Sequence, residues 1–181
     1  MREESKLQRF EATVLPHLDA AYNLARWLTH DDSTAEDAVQ EACLRAFRFF
    51  DAMHGPSPKA WFMSIVRNCC FDCLREQRRN GSPEEFDETR HGTNDERASS
   101  ALESPEHAAL KNAEARRVHS AIARLPVDYR EVIVLRELEE LTYKEISAIV
   151  KIPIGTVMSR LARGRDLLRE QLGDAKQRAT S

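Results

Sequence analysis

The stretch Leu141–Arg165, LTYKEISAIVKIPIGTVMSRLARGR, limits what this chain can fold into more than any other. Ile146, Ile149 and Val150 recur at helical spacing, and Pro153, which has no N–H to donate, forces the chain to stop and restart. Two helices joined by so few residues must cross steeply, giving a helix-turn-helix whose second helix fits the DNA major groove. In that second helix Val157, Leu161 and Leu168 share a face that can pack inward, while Ser159, Arg160, Arg163 and Arg169 point elsewhere. Gly155 and Thr156 open it, offering unpaired backbone N–H groups and a positive dipole end to a phosphate. Arginine's planar fork grips a guanine edge or a phosphate through two bonds. A solvated basic face on an ordinary core helix is the alternative; the coincidence of turn, amphipathic pair and basic second helix favours DNA.

The rest of the chain also reads as helical. Apolar residues recur three and four apart, only 6 of the 181 residues are glycine, and no extended run alternates as a half-buried strand would. From Leu7 the positions Phe10, Val14, Leu18, Tyr22, Ala25 and Leu28 keep the period, interrupted by Pro16, which predicts a kink or two abutting helices. Ser33 and Glu36 form a Ser-x-x-Glu capping box for a second segment that turns Ala35, Val39, Ala42, Cys43, Ala46 and Phe50 inward. Its opposite strip shows Asp37, Gln40, Glu41 and Arg48. After the break Gly55-Pro56-Ser57-Pro58, a third helix over 59–79 directs Trp61, Phe62, Ile65, Cys69, Cys73 and Leu74 mainly inward and exposes Arg67, Asn68, Arg75, Arg78 and Arg79. Arginines beside the rings of Trp61 and Phe62 suit a single-stranded nucleic acid, although each ring alone is as readily core.

Charge divides the chain. Lys and Arg number 11 against 12 Asp and Glu in residues 1–80, 2 against 8 in 81–106, and 14 against 10 in 107–181. The acidic middle has few large apolar side chains and reads as a linker, since it cannot bury enough surface to offset the entropy of ordering. The expected organisation is therefore all-α: a helical domain over 1–80, a flexible acidic linker over 81–104, a second domain over 105–173 and a disordered tail over 174–181. In the second domain Ser104-Pro105 starts a helix carrying Leu110, Val118, Ala121, Ile122 and Leu125. The next carries Tyr129, Val132, Ile133, Leu135 and Leu138.

Cys43, Cys69, Cys70 and Cys73 lie in the first half. Cys70 and Cys73 have C-x-x-C spacing, but no second pair follows and the local pattern is helical, so they read as small buried hydrophobes without metal or cofactor. No apolar stretch approaches a membrane span and the charged N-terminus is unlike a signal peptide, so a cytoplasmic location is expected.

Taken in order, these segments resemble the extracytoplasmic-function group of bacterial RNA polymerase sigma factors over nearly the whole length. Ala35-Glu36-Asp37-Ala38-Val39-Gln40-Glu41 with Leu44-Arg45-Ala46-Phe47 is similar to that group's core-binding helix in region two. Ala60–Asn68 with Asp72 and Leu74-Arg75 is similar to its promoter-melting helix. Leu125-Pro126, Arg130-Glu131-Val132, Thr142–Ile146, Gly155-Thr156-Val157 and Ser159-Arg160-Leu161 resemble region four. The resemblance implies a non-enzymatic factor that binds core RNA polymerase through Asp37, Gln40 and Glu41. It implies contact with the minus 10 promoter element, melted around a flipped base, through the 51–58 loop and Trp61, Arg67, Asn68, Arg75 and Arg78. The minus 35 duplex falls to Gly155, Thr156, Ser159, Arg160 and Arg163. Extruding a base costs roughly a few kcal/mol, which a fitted pocket must offset. It further implies an anti-sigma factor, in this group often membrane-anchored and zinc-binding.

Two departures stand out. The turn of the helix-turn-helix usually has glycine where this chain has Lys151, and Ser147 replaces a usual alanine at the helix crossing. The competing readings are an autonomous helix-turn-helix repressor or activator, expected to bind duplex DNA unaided at a palindrome, and a thiol or zinc enzyme. The second lacks a His-x-x-x-His pair, a phosphate-binding glycine loop and a nucleophile elbow.

Overall fold

Proline and capping chemistry set the helix boundaries. In the computed structural model, which describes residues 2–80 and 105–178 and the side chains of 5–80 and 113–173, α1 (Arg2–Val14) and α2 (Leu18–Thr29) abut across a 3-10 turn at Leu15–His17. Pro16 sits in that turn, as its missing donor requires. Leu7 lies largely exposed on α1, outside the apolar face expected of it. Helix α3 (Asp32–Phe49) begins two residues before the Ser33 box allows. Its cap is Asp31, whose Oδ2 accepts from the Thr34 N–H and hydroxyl, both at 2.7 Å. A carboxylate caps through charge as well as hydrogen bonding, and it complements the positive helix end better than a serine does. Helix α4 (Pro58–Arg79) is capped by Ser57, which accepts from the Ala60 N–H at 3.1 Å, with Pro58 in the first turn where no donor is needed.

Helices α2, α3 and α4 pack mutually. Four alanines of α3, at 35, 38, 42 and 46, are fully buried and let the neighbouring backbones approach, while Leu24, Phe62, Met63 and Val66 fill the centre. Phe10 meets Phe47 and Phe50 edge-on, at 5.3 and 5.6 Å between ring centres, and so pins α1 to the end of α3.

In the second half, α5 (Pro105–Ala123) leads into α6 (Val127–Ile133), α7 (Tyr143–Val150) and α8 (Ile154–Arg178). The side chain of Leu110 and the linker 81–104 lie outside the described residues. Arg130 is buried and its Nη1 donates to the carbonyls of Ala123 and Leu125, at 2.9 and 3.0 Å, closing the end of α5. Val118, expected inward, is exposed: the cover over Ala121, Ile122 and Leu125 does not extend one turn back. Leu138 is exposed as well. Helix α6 runs on into a wider π-type turn at Val134–Leu138, with Glu139 N–H bonded to the Val134 carbonyl at 3.1 Å, and that extra residue per turn rotates Leu138 off the buried face.

The helix-turn-helix forms as the apolar pattern requires, with Ile146, Ile149 and Val150 of α7 and Val157 and Leu161 of α8 buried. Lys151 takes the left-handed conformation at φ 60°, a strain on any residue with a Cβ. Ser147 supports it: its carbonyl accepts from the N–H groups of Lys151 and Ile152, and its hydroxyl donates to the Ile152 carbonyl at 2.6 Å. The serine that departs from the usual alanine therefore closes the turn around the lysine that departs from the usual glycine. Where α8 crosses α6, a Cβ on Gly164 would stand 3.0 Å from Ile133 Cγ1, so any larger residue there must push the Ile133 side chain aside. Helix α8 continues through Gly173 to Arg178, so residues 174–178 are helical where a disordered tail was expected.

No strand occurs among the described residues, and the all-α expectation holds. The two halves also touch: α4 packs on α7 and α2 on α6, and one continuous cluster of buried side chains runs from Phe10 to Leu161.

The cysteines belong to the first half's interior. Burial pushes Cys69 up to about 11 and Cys70 up to about 12, and Cys43 and Cys73 are raised by the same cause. The thiolate is the reactive form, so native protein at pH 8 should leave Cys69 and Cys70 unlabelled by a disulfide reagent, whereas all 4 thiols titrate in denaturant. Because the folded values are raised, this contribution to stability is complete below the unfolded thiol value of about 8.5 and is lost as pH rises through it toward the folded values. Gly164→Val should lower stability by ~1–3 kcal/mol in urea unfolding through overpacking against Ile133. Lys151→Gly should raise it by up to ~1 kcal/mol by relieving the left-handed strain.

Candidate nucleic-acid and polymerase interfaces

Helix α3 turns one side to the alanine-lined core and the other to solvent. On the outer side Asp37 and Gln40 are exposed and Glu41 is half-buried. Glu41 Oε1 accepts from Arg45 Nε at 2.7 Å, and Arg45 Nη1 reaches Asp72 of α4 at 2.9 Å. The pairs hold Arg45 protonated, the hydrogen bonds to Glu41 and Asp72 raising its pKa, and they fix the strip's orientation relative to α4. Leu44 lies in the middle of this strip and is 57 % exposed. Its spacing, seven residues from Asp37 and three from Glu41, was the available sign that an apolar side chain sat on a polar face.

Helix α4 separates its candidate residues by depth. Arg75 and Arg78 are exposed, Arg75 beside Asp72 at 3.6 Å, and Asn68 is half-buried. Trp61 is buried, and Phe62 has no exposed surface at all. Both rings lie in the interior of this structure, as the mainly inward direction expected of them requires. Arg67, expected to be exposed, has only 18 % of its side chain in solvent. Its guanidinium lies over the Phe71 ring at 4.6 Å, and its Nε and Nη2 donate to the two carboxylate oxygens of Glu131 at 2.7 and 3.2 Å.

Helix α8 presents Gly155, Ser159 and Arg163 to solvent, with Thr156 half-buried. Thr156 and Val157 donate their N–H groups to the Pro153 carbonyl, so part of the expected set of free donors is already used within the turn. Ile154 and Met158, exposed one turn apart beside Ser159, add an apolar edge that the charge pattern did not signal. Arg160, expected to point outward, is drawn back onto α6, where Nη1 and Nη2 lie 3.5 Å from Glu131 Oε1 and Asp128 Oδ2.

Glu131 thus collects both arginines. It is 1 % exposed; burial raises its pKa, and the hydrogen bonds from Arg67 with the charges of Arg67 and Arg160 oppose that rise. Nearby contacts follow the same pattern, donors on the first half and carboxylates on the second. Asn23 donates to Glu139 Oε1 at 2.6 Å, Lys59 Nζ sits 3.4 Å from Glu139 Oε2, and Ser57 donates to Glu145 Oε1 at 2.6 Å. Glu145 also completes the Thr142 capping box. Burial pushes the Glu145 carboxyl up, but the bonds from Ser57 and Thr142 and the charge of Lys59 hold it below the ordinary range. At the far end His119 of α5 packs on Trp27 of α2, 4.3 Å between ring centres.

No group of three or more metal-ligating side chains occurs among the described residues, and no helix among them is long and apolar enough to cross a membrane. Residues 13–80 match the family model for sigma-70 region 2, and residues 115–168 match that for sigma-70 region 4. The chain is 32% identical to the RNA polymerase sigma-H factor of Pseudomonas aeruginosa over 171 residues, covering 90% of this chain and 86% of that protein. It is 36% identical to the ECF RNA polymerase sigma-E factor of Escherichia coli over 135 residues, 73% of this chain and 70% of that one. In structure it is similar to the sigma factor RpoE of Bartonella quintana, solved in complex with the anti-sigma factor NepR, with a TM-score of 0.73, 28% identity, and 92% and 98% of the two chains covered. Both halves match in the order the motifs require, which disfavours an autonomous repressor, and the chain belongs to the ECF group of RNA polymerase sigma factors, which direct the polymerase to specific promoters.

Proposed function

We propose that the division of labour follows the two halves, residues 1–80 engaging core polymerase and the minus 10 element, and residues 105–173 the minus 35 element. The observation that carries the reading is the start of α8. A tight, doubly bonded turn presents Gly155, Ser159 and Arg163 on one exposed face while Val157 and Leu161 fix the other face in the core. Such a helix can lie in a major groove with its first turns against base edges and phosphates. Thr156 adds a hydroxyl at the helix start, and Arg160 joins the set once it leaves Glu131.

On α3, Asp37, Gln40 and Glu41 dock on core polymerase, with Leu44 as the apolar centre of that contact. An exposed leucine ringed by polar groups is the usual make-up of an interface core and rim. On α4, Asn68, Arg75 and Arg78 track the minus 10 strand, and Arg67 contributes when the two halves separate. The factor catalyses no reaction itself and acts in the cytoplasm, where core polymerase and promoter DNA meet. An anti-sigma factor is the expected inhibitor, in keeping with the RpoE relative solved with NepR. A membrane-anchored, zinc-binding form of it rests on the family resemblance alone.

Run-off transcription with core polymerase should give a promoter-specific start site that neither component yields alone. Tight sequence-specific binding to a palindrome without core would defeat the reading. Arg163→Ala should weaken use of the minus 35 element by about 1–3 kcal/mol if it reads a base edge, measured as loss of specificity between matched and mutated elements. Leu44→Ala should lower affinity for core polymerase without shifting the urea midpoint, since the side chain is exposed in the free factor.

A further inference from the structure

The first three turns of α8 are sorted by chemistry around the helix. Val157 and Leu161 are buried, and away from them the exposed side chains fall into two edges separated by small residues. On one edge stand Ile154 and Met158, four residues apart and 45 % and 53 % exposed. On the other stand Ser159 and Arg163. Between the edges lie Gly155, where a Cβ would meet nothing within 4 Å, and Ala162, also exposed. A face with so little side chain along its middle lets the backbone approach a groove floor closely and brings both edges to the bases. Polar groups on this face are few. Arg160 is held 3.5 Å from both Glu131 and Asp128, and Ser159 already donates its hydroxyl proton to the Thr156 carbonyl at 3.0 Å, leaving lone pairs that accept. Two apolar side chains gain nothing from phosphates or from the donors and acceptors of base edges. The C5-methyl of thymine is the apolar group that the major groove offers them.

We infer that Ile154 and Met158 are specificity-determining residues that read thymine methyl groups, so that this factor favours A·T pairs in the part of the minus 35 element under the start of α8. The inference rests on the assignment of α8 to the minus 35 duplex. Ser159 suits the same pair, because the N6 amino group of adenine donates to an acceptor in that groove. Covering one methyl with an apolar side chain takes about as much surface from water as burying one methylene, which is worth roughly fourfold in binding.

The test uses the full chain loaded on core polymerase and promoter duplexes randomised across the minus 35 segment. Retained duplexes should be enriched in A·T pairs at one or two positions. Deoxyuridine in place of the thymines there removes methyl groups and nothing else, and competition should show binding weakened roughly fourfold per methyl. Ile154→Ala with Met158→Ala should bind the thymine and deoxyuridine duplexes alike, at an unchanged urea midpoint because both side chains are exposed in the free factor. Ile154→Val with Met158→Leu, which keeps apolar ends, should restore the preference. Arg163→Ala should weaken binding to both duplexes and preserve their ratio. The inference is overturned if retained duplexes show no A·T enrichment, if the parent binds deoxyuridine as well as thymine, if the alanine pair keeps the ratio, or if Arg163→Ala alone abolishes it. A scrambled minus 35 segment separates the two levels. If the parent binds it as well as a retained duplex, the assignment of α8 fails and the inference with it; poor binding to it together with indifference to the methyl removes the inference alone.

Discussion

A carboxylate carried almost wholly out of water must be met by cations, and Glu131 is the place where this constraint governs the molecule. The cost of removing such a charge from solvent is several kcal/mol per ion, so its partners are not optional. They come from two different helices, Arg67 of α4 and Arg160 of α8, and α6 lies between them carrying the acid. Everything that sets the distance between α4, α6 and α8 therefore also sets whether this charge is tolerated. Gly164 brings α8 close enough to α6, and Arg130, bonded to the end of α5, fixes the start of α6 just before Glu131.

Around that centre the caps of separate helices are shared. Ser57 accepts from the Ala60 N–H to begin α4 and donates to Glu145, which in turn completes the cap of α7 with Thr142. A hydroxyl that serves as acceptor and donor at once couples the start of α4 to the start of the helix-turn-helix. The turn that follows is tightened by Ser147, so the orientation of α8 is inherited through a short chain of hydrogen bonds from the N-terminus of α4. The exposed face of α8 is positioned by backbone bonding and small-residue contacts, and Arg163 stands on it in solvent while Arg160 is held back by Glu131 and Asp128.

The apolar period and the two prolines at 16 and 153 made the helices legible, and the order of motifs made the two halves legible. Errors arose where a local rule competed with something local but stronger, or with something distant. Asp31 displaced Ser33 as a cap because a carboxylate offers charge to the helix end. Leu138 left the core because a wide turn, which no periodicity encodes, shifted the helical phase by a residue. Arg67 shares one helix with Arg75 and Arg78, and sequence spacing alone could not tell which of them another element would cover.

From its amino acids in order, this chain determined its helical class, the sharp turn at Pro153, the basic second helix after it and the apolar interior of each half. These follow from contacts a few residues apart, where spacing and backbone chemistry suffice. Only the tertiary structure decided that the halves meet, and that three glutamates of one face the donors of the other. It also decided that Glu131 holds one arginine from α4 and one from α8. Those pairings join residues far apart in the chain, and a charged side chain carries no local mark of the partner that folding will bring to it.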